Sequence, residues 1–325
     1  MSLSPLLSVT PELRRLVSPM RRFASVNAWI VGPKGRQIVV DTGMCGTETK
    51  HIWRRAEESG ALGGVEAIVV THMHRDHAGQ VRHLQRQFGA KLLMSAREHA
   101  DALAASIVTP DENRSRLRDF LLALGMDDED AGASVPIDYS MLAPFPADVL
   151  ALEDDECLSL AGRRWRVLLG GGHSAAAVCL MAEDESLFFS GDQVLAGSGA
   201  HIAVWPGAPE ADPLADYFAF LDRLASLPEQ MLVLPGHGLP FSGLAAHARS
   251  LRGQHEDRLA KLGKAMSGAM TCVEMAPLVF SERAMRRFAE LIPAMTLSLA
   301  NHLWYRGALR RHRSDNGLYL FEKAL

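Results

Sequence analysis

Short apolar runs and longer apolar stripes at helical spacing alternate along most of the chain, with Gly, Pro and acidic residues between them. Ser25–Val31 and Gln37–Val40 read as paired strands around the turn residues Gly32-Pro33-Lys34-Gly35. A helix is expected from Thr47, as its N-cap, to about Ser59, before Gly60. Ala67–Val70 reads as a buried strand. Ala78, Val81, Leu84 and Phe88 then form a helical stripe that stops at Gly89. Lys91–Met94 is a further strand, and Ser95-Ala96-Arg97-Glu98 has the form of a capping box that opens a helix.

From 107 to 150 the pattern loosens. Ser115–Leu124 reads as helical, and the acid- and proline-rich Asp127–Pro146 reads as loop. A lid or binding loop and a plain surface insertion fit this stretch equally. Strand patterning resumes at Cys157–Leu160 and Trp165–Leu169, around Ala161-Gly162, and continues at Ala176–Met181 and Leu187–Phe189. Asp212-Pro213 opens an amphipathic helix whose stripe is Leu214, Tyr217, Phe218, Leu221 and Leu224. Met231–Leu234 is a strand, and a helix over Leu244–Lys264 closes a domain spanning residues 1–268. Residues 269–325 read as a small second domain, with helices at Ser281–Ile292 and Thr296–Tyr305. Ala308–Arg313 and Leu318–Glu322 follow, flanking the hairpin signal Asp315-Asn316-Gly317. Strands alternating with helices predict a mixed α/β fold.

Composition narrows the picture. The 325 residues are 48% hydrophobic and 22% charged, values typical of a water-soluble globular chain. A net charge of −4 gives no general case for nucleic acid or an anionic membrane as partner. No apolar run reaches the ~18 residues of a membrane span, and the N-terminus lacks a signal-peptide core. Cys45, Cys157, Cys179 and Cys272 are widely spaced and form no C-x-x-C, which argues against a disulfide framework or a thiolate metal site. A reducing, cytoplasmic setting is the expectation.

The chemistry concentrates where strands end. Thr71-His72-Met73-His74-Arg75-Asp76-His77 stands on a strand-to-helix turn. In a strand-like segment His72 and His74 share a face, and Asp76 and His77 are expected at the helix start. Imidazoles and a carboxylate presented to one point suit a borderline metal such as zinc. Four other apolar runs also end in polar groups: Val39-Val40 at Asp41, Leu168-Leu169 at His173, Phe188-Phe189 at Asp192, and Val233-Leu234 at His237. In open α/β sheets, sites collect beyond the carboxyl ends of strands. Taken singly, His173 or His237 would be an ordinary loop residue; five arrivals together are hard to explain that way.

The stretch His72-Met73-His74-Arg75-Asp76-His77 resembles the H-x-H-x-D-H signature of the metallo-β-lactamase superfamily, and the resemblance extends over roughly residues 20–265. It implies a four-layer αββα sandwich. It also implies one metal site of His72, His74 and His173, a second of Asp76, His77 and His237, and Asp192 bridging them. Asp41, in Asp41-Thr42-Gly43, would support the ligands from behind. A ligand set of histidines and aspartates alone is similar to that of glyoxalase II and its thioesterase relatives. Gly172-His173-Ser174-Ala175-Ala176 departs from the usual G-H-[ST]-P-G by lacking the proline. The helices and hairpin of the tail resemble a winged-helix appendage.

The implied activity is that of a dinuclear hydrolase. Two divalent ions, zinc first and iron or manganese as alternatives, would share a hydroxide that attacks a thioester, ester or lactone. Asp76 would orient that nucleophile or carry its proton. Cys45, just past Asp41-Thr42-Gly43, reads as a structural thiol. The expected partner is a small-molecule ester or thioester, and a homodimer is a family-level expectation. Two other classes stay open: a metal-dependent ribonuclease or phosphodiesterase, and a non-catalytic metal-binding regulator. Arg306, Arg310, Arg311 and Arg313 make the tail basic, which suits RNA or an anionic carrier such as coenzyme A or glutathione; a solvated wing is the favoured reading. Substrate-contacting residues are not assigned. Specificity is expected in residues 107–150, in the Ala196–Pro209 loop with His201 and Trp205, and in the tail.

Overall fold

Alternate residues of the central strands serve two different cores. On the strand Ser25–Val31, Ala28 and Ile30 join one apolar cluster while Trp29 and Val31 join another. Period-two side-chain alternation in a strand covered on both faces gives this pattern. The molecule is described by a computed structural model, which covers residues 6–20, 25–197 and 199–324. Ser198 of the Ala196–Pro209 loop lies outside the described residues.

The chain forms two compact units. The first takes in the chain up to Val108, Tyr139–Ala200 and Ser226–Ala246. Its larger sheet has seven strands in sequence order: β1 (Leu6–Thr10), β2 (Leu13–Pro19), β3 (Ser25–Val31), β4 (Gln37–Val40), β5 (Val65–Val69), β6 (Lys91–Ser95) and β7 (Leu150–Leu152). β1 to β4 pair antiparallel, and β4 to β7 pair parallel. The smaller sheet has the order β12-β11-β10-β9-β8. Its strands are β8 (Cys157–Leu160), β9 (Arg163–Gly170), β10 (Ala177–Ala182), β11 (Leu187–Gly191) and β12 (Leu232–Pro235), and only β11 and β12 pair parallel.

Trp29, Ile38, Val69 and Leu93 of the larger sheet meet Trp165, Val178, Phe189 and Leu234 of the smaller, so one core lies between the sheets. The other core covers the far face of the larger sheet. There Ile30, Val39, Ile68 and Leu92 pack under α1 (Thr47–Glu58), α2 (Val81–Phe88) and α3 (Ala96–Ser106). This is the mixed α/β architecture expected from the alternation of elements.

The second unit comprises Thr109–Asp138, His201–Ala225 and the chain from His247 on. It holds α4 (Pro110–Ala123), α5 (Asp128–Ala133), α6 (Pro213–Leu224), most of α7 (Leu244–Ala265), α8 (Cys272–Val279), α9 (Glu282–Arg287) and α10 (Ile292–Tyr305). A hairpin of β13 (Leu309–Arg313) and β14 (Tyr319–Lys323) completes it. α10 packs on α6, α8 and β13. The Arg311 guanidinium lies over Tyr319 and Trp304 at 4.3 and 5.2 Å, and bonds to Pro209 O and to Asn301 Oδ1, each at 3.1 Å. Of Arg306, Arg310, Arg311 and Arg313, Arg311 is therefore part of the tail's own packing.

Several expectations need correction. α2 starts at Val81, so Asp76 and His77 stand in the turns before it rather than at its start. The backbone folds back first, with His77 N and Ala78 N both bonded to His74 O at 2.9 Å. Gly46, at φ 125°, is the N-cap of α1, and Thr47 is its first residue. The helix expected at Ser115 begins at Pro110, where Thr109 caps Glu112 N and proline takes the first turn. Asp127–Pro146 is not all loop: Asp127 caps α5, and a 3-10 turn spans Ser140–Leu142. The helix expected over Ser281–Ile292 is only α9, followed by tight turns that lead into α10. Strands β1 and β2 and helix α8, closed by a Thr271–Glu274 capping box, were not expected.

Candidate metal centre

Each candidate group follows the end of a strand of the first unit. Asp41 follows β4. His72, His74, Asp76 and His77 follow β5. His173 follows β9, Asp192 follows β11 and His237 follows β12. The structure brings all of them together. His72 Nε2 and His173 Nε2 both face His74 Nδ1, at 2.9 and 3.1 Å. His77 Nε2 lies 3.5 Å from Asp192 Oδ1 and 3.7 Å from Asp76 Oδ2. His237 Nε2 is 3.3 Å from both Asp76 Oδ2 and Asp192 Oδ2, and His173 Nε2 is 3.7 Å from Asp192 Oδ2.

Three overlapping groups have donor atoms close enough to hold an ion: His72, His74 and His173; His72, His77 and Asp192; and Asp76, His77 and His237. Two observations fit a cation. One shared N–H satisfies one pair of imidazole nitrogens and cannot satisfy a third, whereas an ion accepts a lone pair from all three. His77 Nε2 and Asp192 Oδ1 are buried and lack any hydrogen bond among the described residues. Buried polar atoms are ordinarily paired, and these two lie among the converging donor atoms.

The surrounding residues fix the ring orientations. Asp41 sits at φ 59°, a left-handed conformation that an aspartate tolerates better than most residues. Its carboxylate accepts from Thr71 N at 2.8 Å, from Thr71 Oγ1 at 2.9 Å and from His77 Nδ1 at 2.8 Å. That last bond directs the other nitrogen of His77 into the centre. His237 Nδ1 donates to Ser25 O at 2.7 Å, which does the same for His237. Asn27 pins the loop that carries His237: its amide donates to Pro235 O and Gly238 O at 2.8 and 3.0 Å, and its backbone N–H donates to Gly236 O at 2.7 Å.

Charge separates the two sides of the centre. Burial, followed by repulsion from the neighbouring histidines, holds His72 well below the usual imidazole range, and burial also lowers His74. On the other side, burial opposes the charged form of His77, but Asp192, Asp41 and Asp76 outweigh it and push His77 well up. His237 is raised to about 10 by Asp192 and Asp76 against the effect of its burial. Burial alone would raise the Asp76 and Asp192 carboxyls; the facing histidines hold both below the ordinary carboxylate range. An acid-rich pocket of this kind holds either protons or a cation.

Sequence reasoning missed several contributors. Gly236 was given no role, yet a Cβ there would lie 2.3 Å from Asp192 Oδ1 and 2.6 Å from His77 Cε1. Asn27 carried no signal, since its partner lies more than 200 residues away. Glu98, completely buried, was read as half of a capping box. Ser95 does cap Glu98 N, at 3.2 Å, but the Glu98 carboxylate bonds to Met73 N and Ala176 N instead. Cys45 stays outside the centre, with its thiol 3.7 Å from Arg75 O. A cavity of about 300 Å³ opens beside the turn after His77, lined by Lys50, Arg82, His83 and Arg86 with the apolar Met141 and Phe145.

The described chain contains no helix long and apolar enough to cross a membrane. The family model of the metallo-beta-lactamase superfamily matches residues 21–237. The chain is 26% identical to the probable metallo-hydrolase YqjP of Bacillus subtilis, over 75% of this chain and 80% of that protein. It is 28% identical to an acyl-coenzyme A thioesterase of Bos taurus, over 65% of this chain and 72% of that protein. Among solved structures, a beta-lactamase domain protein from Burkholderia ambifaria superposes with a TM-score of 0.82 at 24% identity. That match covers all of this chain and 97% of the other, and it bears on the fold alone.

Proposed function

The chain belongs to the metallo-beta-lactamase superfamily and is a metal-dependent hydrolase of that group, and on that premise we propose that it cleaves a thioester or a related carboxylic ester. The observation that carries this reading is the convergence of seven nitrogen- and oxygen-bearing side chains around two buried atoms with no hydrogen bond. His72, His74 and His173 would hold one divalent ion and Asp76, His77 and His237 a second, with Asp192 between them; zinc fits this donor set. Bound there, such ions supply Lewis acidity and lower the pKa of coordinated water.

The protein's own groups divide the remaining work. Asp76, which faces His77 Nε2 and His237 Nε2, orients the attacking water and accepts its proton. As water adds to the acyl carbon, the carbon–sulfur bond breaks and Asp76 returns the proton to the departing thiolate. Asp41 and Ser25 O keep His77 and His237 aimed inward. Two observations support a thioester on an anionic carrier: the acyl-coenzyme A thioesterase among the relatives, and a neighbouring cavity lined by cationic side chains and by no carboxylate among the described residues.

The test is a panel of acyl-coenzyme A thioesters, neutral thioesters, oxyesters and a phosphodiester, offered to metal-loaded wild type and to Asp192→Ala. Thioester turnover by wild type, with loss of both metal and activity in the variant, is the expected result. Turnover of the phosphodiester alone, or of nothing, would overturn the proposal.

A further inference from the structure

We infer that Glu98 is a positioning residue that sets the spacing between the His72–His74 turn and the His173 loop, and through it the geometry of the three-histidine side of the centre. The inference rests on the proposed reading of those histidines as cation ligands. Glu98 lies in the first turn of α3 and is fully buried, at 0% exposure. Its two oxygens go to two different loops. Oε2 accepts from Met73 N at 2.9 Å, and Met73 is the residue between His72 and His74. Oε1 accepts from Ala176 N at 2.8 Å, three residues after His173.

Ser95, which caps the same helix, donates from Oγ to Ala176 O at 2.7 Å. Ala176 is therefore held at both its N–H and its C=O by one short segment, Ser95 to Glu98. One residue-pair further out, Val178 N donates to Thr71 O at 2.7 Å. The His74 and His173 rings, 99 positions apart in sequence, are thus fastened through the Glu98 carboxylate, the Ser95 hydroxyl and the Val178–Thr71 backbone bond.

A buried carboxylate is costly unless compensated. No Lys, Arg or His forms an ion pair with Glu98 among the described residues. What compensates it is two charge-assisted N–H bonds and the positive end of α3. Only an anion that accepts on both sides meets both N–H groups. Glutamine, of equal size, can accept on one side and presents an N–H on the other. Asp41 has the corresponding role on the opposite side, through His77. Asp41 also reaches His72 Nδ1 through Thr71 Oγ1, at 2.9 Å, so Asp41 acts on both sides, whereas Glu98 acts on the His74–His173 side alone.

The experiment titrates chelator-stripped wild type and Glu98→Gln with cobalt(II), read by visible absorption and by chelator competition. His173→Ala and His237→Ala, made alongside, assign the signal of each side. The expected result is a changed cobalt spectrum and about tenfold weaker binding on the His173 side, the size usual for a lost outer partner, with the His237 side unchanged. Metal-free Glu98→Gln should melt as one cooperative transition, which shows that the chain still folds. Spectra and affinities equal to wild type on both sides, with only the melting temperature lowered, would overturn the inference and make Glu98 a fold-stabilising residue. Wild type that takes up no cobalt through His173 would overturn the reading of the centre, and this inference with it.

Discussion

Both units of the molecule bury histidines, but to different ends. In the first unit His72 and His77 are buried, and their ring nitrogens meet those of His74, His173 and His237 and the oxygens of Asp76 and Asp192. In the second unit His255 and His302 are also buried and stay apart. His255 packs edge-on to Tyr217, with ring centroids 5.6 Å apart. His302 Nδ1 meets both Asp212 oxygens at 3.1 Å, with the Phe218 ring against it. So neither burial nor a His–Asp pair identifies a reactive site. What separates the two regions is convergence: in the first unit donors from separate strand ends aim at one point, whereas His255 Nδ1, also buried without a hydrogen bond among the described residues, stands alone.

If that contrast is right, the largest effect comes from removing the group shared by both sides of the centre. Asp192→Ala should lower hydrolytic activity by more than the 10–100-fold expected for an outer partner, with metal per chain falling in elemental analysis. An unchanged metal content would place the ions elsewhere. Next in size is Asp41→Asn, which keeps the shape but weakens the acceptor at His77 Nδ1. Metal affinity should fall about 10–100-fold on the His77 side, with a smaller change in the cobalt spectrum of the three-histidine side, which Asp41 reaches only through Thr71. Equal loss on both sides would mean that the bond to His77 Nδ1 is not the main role of Asp41.

The same contrast explains what the sequence made legible. His72, His74, Asp76 and His77 lie within six positions, and the other candidate groups each follow a short apolar run, so local pattern was enough to single them out as candidates. The strand ends were recognisable because Val39-Val40, Phe188-Phe189 and Val233-Leu234 carry β-prone residues buried on both faces. The supports were not legible, because each works through a backbone group distant in sequence. Glu98 looked like a capping residue, since Ser-x-x-Glu is the same string whether the carboxylate turns back to its own helix or reaches Met73 and Ala176. Asn27 acts on a loop that begins at Pro235. The start of α2 was misplaced because Ala78 has helical spacing with Val81 although its backbone is still in a turn. In the tail, the Asn316-Gly317 signal located the hairpin, but α8 shows no continuous stripe and carries Pro277 inside it.

A smaller effect tests the isolated histidine of the second unit. Burial, with Arg258 adding to it, holds His255 down at about 4, against about 6.5 in an unfolded chain. Between those values the unfolded chain binds the proton and the folded chain does not, so stability falls as pH drops from about 6.5 towards 4. Replacing the ring with an uncharged side chain removes this contribution. His255→Leu should lose about 1 kcal/mol less than wild type between pH 6 and pH 5, as read from denaturant midpoints. Parallel pH profiles would show that His255 is not excluded from solvent protons, and the contrast between converging and isolated histidines would lose that support.

The smallest effect concerns the cavity beside the Ala78–Gly79 turn, where cations gather without acids among the described residues. Burial, then Lys50 and Arg54, hold His83 below the ordinary imidazole range, the response expected where the local potential is positive. Arg86 is exposed and has no ion-pair partner among the described residues, so its charge is available to a substrate. One exposed charge contributes about 0.2–1 kcal/mol, or up to about fivefold in KM, and salt screens it. Arg86→Ala should therefore raise KM for a coenzyme A thioester by that factor at low ionic strength, and by less as salt is added. A neutral thioester with the same acyl group should be unaffected, and kcat should stay constant for both. If the two substrates lose equally, the cavity does not read the carrier's charge. Anionic carriers then have no claim on this face, and the acyl group alone would have to distinguish one substrate from another at the metal centre.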